Sequence, residues 1–555
     1  MKLPIKLLFL SLYLLTISNT ACKKAEVVIP EITHTVTIAP SALNIEKQPF
    51  ISYILKVNFD QAEVNNKEII WSSSDSRIAT VNDQGFVTAM AAGEAEITGR
   101  LIDGKGAAKC KVTISDANAY KFRIILKDKG TSEFSINAPE RYLSAKAIQR
   151  RRKQNITINE TDLPISKEYV QEIKKVGGVI VTQSKWLNTV TVYTTDQLSL
   201  YKYKELPFVK DVLITWRGPK VSQVEAYNSD GASSSTGVPP DHSTKDAAYY
   251  GSAWKNISIN NGQQIHEKGY TGTGIDIAVI DAGFKGLNTN PSFQNMHIKA
   301  AKSFVFENHN PYDIDEHGVW VTSCMATNKP GYYVGTAPNA NYWLLRSEDE
   351  STEYTVEEDY WVAAIEYADS AGVDIVNTSL YYTSHDGETD NYKFENMDGK
   401  TAMASRAANI ASDKGIFVVA CAGNDQRWVG TPGDSPNVLT VGSVNSIETI
   451  DVFTSYGITT DGRIKPDVVS LGGGASIITT NGTFMNRSGT SYASPIICGL
   501  AACLLQAYPK LNNHELLEII RKSGNRFAHP ELPYGYGICD ISKAMQLAQA
   551  LTINR

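Results

Sequence analysis

From about residue 250 onward, short continuous apolar runs alternate with longer helix-like stretches, and this alternation narrows the possible folds more than any other feature. The runs are residues 275–280 (IDIAVI), 340–345 (ANYWLL), 373–377 (VDIVN), 416–420 (IFVVA) and 438–441 (VLTV). A strand without polar alternation is covered on both faces, as in a parallel sheet. VEEDYWVAAIEYADSAG and AMASRAANIASDKG lie between runs and read as covering helices. The pattern predicts a doubly wound, mostly parallel α/β sheet. Ligands on such sheets sit outside the carboxyl ends of the strands, so the residues after each run carry the first interest.

The 555 residues upstream and downstream of that boundary imply three or four domains at roughly 100–200 residues each. Residues 1–22 begin with Lys2 and Lys6, continue through a short apolar core and end in Ser-Asn-Thr-Ala-Cys. This reads as an export signal, too short for a permanent membrane span. The final residues resemble a bacterial lipoprotein processing box, with Asn19 where that box usually has Leu. The resemblance implies lipidation of Cys22, membrane association through it, and a cell-surface or outer-membrane location; otherwise the chain is secreted. Six other cysteines, with no CxxC pair, read as buried thiols rather than a zinc ribbon.

Residues 31–116 hold short runs rich in Val, Ile and Thr separated by turns, which predicts an all-β sandwich. WSSSDSRIATVNDQGFVTAMAAGEAEIT resembles the bacterial Ig-like domain of group 2 and implies a spacer or adhesion module. Residues 120–217 run strand, helix, helix, two strands, short helix, strand, and predict a small α+β sandwich. Arg150, Arg151 and Arg152 within it read as the solvated face of a helix, with a processing site as the alternative. Residues 218–247 are rich in Ser, Gly, Pro and Asp and read as a flexible linker. The net charge of −6 and the lack of a basic stripe give no reason to expect a nucleic acid.

Within 248–552 four edges carry chemistry. Asp281 follows the first run. His317 opens a helix-like stretch, VWVTSCMA. Asn424 follows IFVVA as Cys-Ala-Gly-Asn. Ser491 sits in NRSGTSYASP before an apolar helix. A carboxylate, an imidazole, an amide and a hydroxyl thus stand where sites form. Taken with AVIDAGF, DEHGVWV, VVACAGND and SGTSYASPIICGLAA, their order resembles the subtilisin-like serine peptidases, and residues 120–217 then resemble their propeptide.

The resemblance implies a serine endopeptidase acting on proteins or peptides through an acyl-enzyme. Ser491 is then the nucleophile, His317 the general base and Asp281 its orienting carboxylate, with Asn424 in the oxyanion hole. Ser379, Leu380, Tyr381, Ala422 and Gly423 fall on its substrate-binding edges. It also implies a precursor cut near the linker, with the propeptide-like domain as an intramolecular partner. No cofactor is expected; structural calcium is a habit of the family that no spacing here shows. The sequence departs from the family at Ala282 and Val319, where Thr or Ser is usual, and at Tyr381 and Tyr382, where small residues are usual. Tyr381 either narrows the cleft or packs away from it. The alternative is a surface adhesin or binding scaffold that keeps the fold without activity. An α/β-hydrolase is excluded by the lack of a GxSxG elbow and by the order of the residues. The acidic run EDESTEYTVEEDY either attracts a cation or, as charge runs usually do, forms a solvated face, and the second reading is preferred.

Overall fold

A computed structural model describes residues 36–47, 52–59, 69–102, 106–116, 119–218, 228–229, 244–305, 310–349, 352–386 and 391–553. The export segment and Cys22 lie outside the described residues.

The N-terminal unit is all β. Gly93–Leu101 pairs antiparallel with both Ile69–Ser73 and Ala107–Asp116, and Ala79–Val81 pairs with Phe86–Ala89. Ala95, Ile97 and Leu101 are buried at every second or fourth position, the period a half-covered strand requires. The Trp71 ring lies over Gly85 and Gly99, where a Cβ would stand 2.7 Å and 3.1 Å from ring carbons. Gly85 also has φ of 84°, so glycine is required there by both space and backbone.

In the second unit, residues 119–218 form the small α+β sandwich. Its elements are β1 (Ala119–Leu126), α1 (Ala145–Lys153), α2 (Lys167–Val176), β2 (Val179–Ser184), β3 (Thr189–Thr194), α3 (Ser199–Lys204) and β4 (Val209–Gly218). The sheet is antiparallel in the order β2-β3-β1-β4. Along β1, Tyr120, Phe122 and Ile124 pack with Ile173, Val190 and Tyr203 into this domain's own core. Lys121 and Arg123 point the other way.

The large domain contains β5 (Asn228–Ser229), β6 (Asp276–Asp281), β7 (His297–Ser303), α4 (His317–Ala326), β8 (Asn341–Arg346), α5 (Val356–Ala371), β9 (Ile375–Thr378) and α6 (Met403–Asp413). It continues with β10 (Phe417–Cys421), β11 (Val438–Val444), β12 (Val468–Leu471), α7 (Thr490–Ala507), α8 (Asn513–Ser523) and α9 (Ile541–Ile553). The sheet order is β5-β7-β8-β6-β9-β10-β11-β12, parallel except at β5. Ile277 and Val279 of β6 join the core beneath α4 and α7, while Ala278 and Ile280 join the core beneath α5 and α6. Burial on both faces is why the run lacks polar alternation. α7 is apolar and long enough to cross a bilayer, and it is buried in this core.

Three expectations are corrected. β7 and β12 are sheet strands that the runs did not reveal: HIKAAKS is polar at alternate positions, and VVSL is short and leads into glycines. The expected linker is not wholly irregular, since Asn228 and Ser229 pair with Lys302 and Ala301 at the sheet edge. Neither charge run is a solvated face. Arg150 and Arg151 are buried, as are Glu357, Glu358 and Asp359, and only Arg152 of the arginine trio is exposed.

Glu357 and Glu358 are held within the large domain, by the N–H groups of Asp349 and Ala404 at 3.3 Å and 2.8 Å, whereas Asp359 and the arginines meet where the small domain docks on α5. Arg123 grips Asp359 with Nε at 2.8 Å and Nη2 at 2.6 Å, and Lys121 Nζ donates to Tyr360 Oη at 2.8 Å. Arg151 Nη2 bridges Asp162 at 2.7 Å and Asp369 at 2.8 Å, while Lys414 Nζ reaches Asp162 at 2.9 Å. Glu366 accepts N–H groups of Lys185 and Trp186, each at 3.0 Å. A buried charge is tolerated when it is paired and hydrogen-bonded.

Candidate active site

β6 ends on Asp281, beside the point where the strand order reverses between β8 and β9. Beyond it, residues 282–284 leave the sheet and meet the loop before α4. Two glycines allow that approach. A Cβ on Gly283 would stand 2.0 Å from the Ile314 carbonyl oxygen, and one on Gly318 would stand 2.3 Å from that of Gly283. Asp315, at φ of 43°, turns the chain into α4, and its carboxylate accepts the His317 backbone N–H at 2.6 Å. His317 Nδ1 then lies 2.7 Å from Asp281 Oδ1, which also accepts the Ala282 N–H at 2.9 Å. A carboxylate is an acceptor only, so Nδ1 carries the proton and Nε2 of the neutral ring is the basic atom. Asp281 is fully buried and its Oδ2 has no hydrogen-bond partner among the described residues, whereas the His317 side chain is 24% exposed.

Ser491 is the second residue of α7. Gly489 is the N-cap and makes no side-chain cap, so the polar cluster does not serve to cap the helix. The Ser491 N–H is among the first four of the helix, which have no intrahelical acceptor. Pro495 has no N–H to give to the Ser491 carbonyl; the Ser379 hydroxyl donates to that carbonyl instead, at 2.9 Å. The end of β9 is thereby fastened to the turn that carries Ser491. The Ser491 hydroxyl lies 3.4 Å from the Ser379 carbonyl oxygen. Beneath the turn, a Cβ on Gly472 would stand 2.6 Å from the Gly489 carbonyl oxygen, which gives the glycine run at 472–474 a packing role.

Asn424 follows β10. The Thr490 N–H and hydroxyl both donate to its Oδ1, each at 2.9 Å. That fixes the amide orientation and leaves the NH2 group as the donor available to the cleft. Ala282, His317, Ser379, Leu380, Tyr381, Asn424 and Ser491 line one cleft of about 730 Å³. Tyr381 is half-buried in it. Its ring leans on Gly423, where a Cβ would meet it at 3.2 Å, and its hydroxyl donates to Asp425 at 3.0 Å. Tyr381 therefore narrows the cleft, while Tyr382 is buried and turned away. Ala422 is buried just past the end of β10 and Gly423 lies under Tyr381. Val319 is core packing, so this departure from the family pattern lies off the cleft.

The sequence reading placed Glu348, Asp349 and Glu353 in a solvated acidic run rather than in the site, yet they line the same cleft. They follow β8, so the strand-end rule applied to that run would have found them. Burial pushes the Glu348 carboxyl up to about 8, and the Tyr382 hydroxyl donates to its Oε1 at 2.5 Å.

The model of the subtilase family matches residues 272–537, that of the Bacteroidota peptidase S8 propeptide domain residues 121–230, and that of the group 2 bacterial Ig-like domain residues 32–112. Subtilisin NAT of Bacillus subtilis subsp. natto is 28% identical over 388 residues, 67% of this chain and 85% of that one. The thermophilic serine proteinase of Bacillus sp. (strain AK1) is 31% identical over 268 residues, 48% of this chain and 60% of that one. The solved MycP3 protease from the type VII (ESX-3) secretion system aligns at 21% identity with a TM-score of 0.43, over 56% of this chain and 90% of that one. The large domain is a subtilase-family serine endopeptidase, preceded in the sequence by an S8-type propeptide domain and, before that, a group 2 bacterial Ig-like domain.

Proposed function

We propose that Ser491, His317 and Asp281 form the catalytic triad of this peptidase and that Asn424 supplies one oxyanion donor. The observation that carries the reading is the 2.7 Å Asp281–His317 pair in a cleft shared with Ser491 and Asn424. Ser491 Oγ attacks the scissile carbonyl while His317 Nε2 takes its proton. Asp281 keeps the ring in that tautomer and stabilises the imidazolium that results. The tetrahedral oxyanion is met by the Asn424 NH2 and the Ser491 N–H, at the positive end of α7. The proton then passes from His317 to the leaving amine, the amine departs and an acyl-enzyme remains. Water deacylates it by the same route in reverse. A 3.4 Å resting contact of the Ser491 hydroxyl with Ser379 fits a free enzyme, whose catalytic hydrogen bonds tighten only on binding substrate.

The chain is read as a precursor in which residues 119–218 are held on α5 by buried ion pairs until the segment 218–247 is cut. Export, and a lipid anchor at Cys22, complete the reading of the N-terminus. The test compares the chain from Lys23 onward as wild type and Ser491→Ala, following fragments by mass spectrometry. Cleavage within 218–247 in the wild type alone supports self-processing; identical behaviour of both chains refutes it. Acyl chains on Cys22 of the natively exported protein would support the anchor, and an unmodified or absent Cys22 would refute it.

A further inference from the structure

We propose that Glu348, Glu353 and Glu357 form a selectivity pocket for an arginine or lysine side chain of the peptide substrate. The inference rests on the reading of the cleft given above. The three carboxyl groups each offer an oxygen within 4.8 Å of the others, the one such group of metal- or cation-binding side chains among the described residues. Glu348 is 7% exposed and Glu357 1%, while Glu353 stands exposed at the mouth. Glu348 and Glu353 line the cleft that also contains His317 and Ser491.

None of the three carboxyls has a cationic partner among the described residues; Arg427 lines the same cleft but is paired with Asp425 at 3.3 Å. Nearby buried acids such as Asp359 and Asp369, by contrast, are each paired with arginine. No N–H or hydroxyl of the described residues donates to the buried Glu357 Oε2, and the Glu357 carboxyl is hydrogen-bonded to that of Glu348. Two carboxyls bond each other only by holding a proton between them, and a cation that arrives from outside takes that proton's place. The carboxyls are held in place rather than loose: Glu348 accepts the Tyr382 hydroxyl and Glu357 Oε1 the Asp349 N–H at 3.3 Å. Burial raises the proton affinity of Glu348 and Glu357, as expected of carboxylates gathered without a cation.

A guanidinium or ammonium fits better than a metal ion. Calcium takes six to eight oxygens, carbonyls among them, whereas the groups that hold these carboxyls are an O–H and an N–H. A guanidinium brings a fork of N–H donors that matches clustered carboxylates and keeps its charge when desolvated. The setting also suits a peptide. β4 of the propeptide-like domain runs up to this corner, where the Trp216 ring meets Tyr354 at 6.4 Å and the Thr355 hydroxyl donates to the Thr215 carbonyl at 3.4 Å.

The test uses the processed enzyme, with active sites counted by fluorophosphonate labelling. Quenched peptides that differ only in arginine against its neutral isostere citrulline are scanned through each position flanking the scissile bond, with EDTA present. The arginine peptide should show at least about tenfold higher kcat/KM at one position. The ratio should fall towards one in Glu348→Gln/Glu357→Gln. Should that variant not fold, the exposed Glu353→Gln must lower the ratio several-fold by itself. A ratio near one at every position in the wild type, or a preference that survives the substitutions, overturns the pocket. So does a rise in melting temperature with calcium chloride that the wild type shows and the variants lose, since the site would then be a metal site. Failure of the wild type to label at all overturns the catalytic reading instead, and this inference with it.

Discussion

At the scale of single residues, the least replaceable geometry is that of Asn424. Its Oδ1 is held by two donors from Thr490, so the amide meets the transition state already oriented. Asn424→Ala should lower kcat by about 10²–10³, the loss measured for such a donor in a subtilisin, with KM little changed. A rise in KM at constant kcat would show instead that Asn424 binds the ground state. The four chemical residues were legible in the sequence because each sits at the end of a run or the start of a helix, where local pattern shows. The acidic pocket was not. Whether Glu357 is solvated or buried depends on how the loop after β8 folds back on the first turn of α5, where the Asp349 N–H reaches it, and that contact leaves no mark in the local pattern.

At the scale of elements, the join between the propeptide-like domain and α5 depends on shared charges. Arg151 serves both Asp162 and Asp369. Arg151→Ala leaves two buried carboxylates short of a partner, and loss of one member of such a set costs about 3–5 kcal/mol. The full-length variant, carried in a Ser491→Ala background, should unfold at a clearly lower denaturant concentration than its parent. An unchanged midpoint would mean that Lys414 and Arg150 suffice. The strands and helices on either side of this join were legible from periodicity, since β1 alternates and β6 does not. The join itself was hidden, because a triplet of arginines on a helix looks the same whether it faces water or an acidic partner. Likewise β7 escaped because its alternating polar residues break the apolar run that marks its neighbours.

For the whole molecule, the parallel sheet was legible because strands covered on both faces leave an unbroken apolar signature, but the couplings that hold distant segments together were not. His266 is one of these. It is buried, lies 2.9 Å from the Tyr250 hydroxyl through Nδ1 and 3.0 Å from the Thr336 carbonyl through Nε2, and so is held as the neutral ring. Burial pushes it down to about 4 from an ordinary 6.5. Between those values the unfolded chain binds the proton and the folded chain does not, so stability is full above about pH 6.5 and falls as the pH approaches 4. The loss attributable to His266 should reach about 3 kcal/mol. In a Ser491→Ala background, His266→Gln should flatten this part of the profile when unfolding is followed between pH 7.5 and 4; a drop as steep as that of the parent would contradict the assignment.

The central claim is that the cleft activates Ser491. The measurement that tests it most directly is labelling of the wild-type chain with a fluorophosphonate, with the modified residue located by peptide mapping. Activation by His317 and Asp281 predicts phosphonylation at Ser491, abolished in Ser491→Ala and slowed at least about a thousandfold in His317→Ala. A chain freed of its propeptide-like domain, verified by mass, that carries no label at Ser491 would contradict the account.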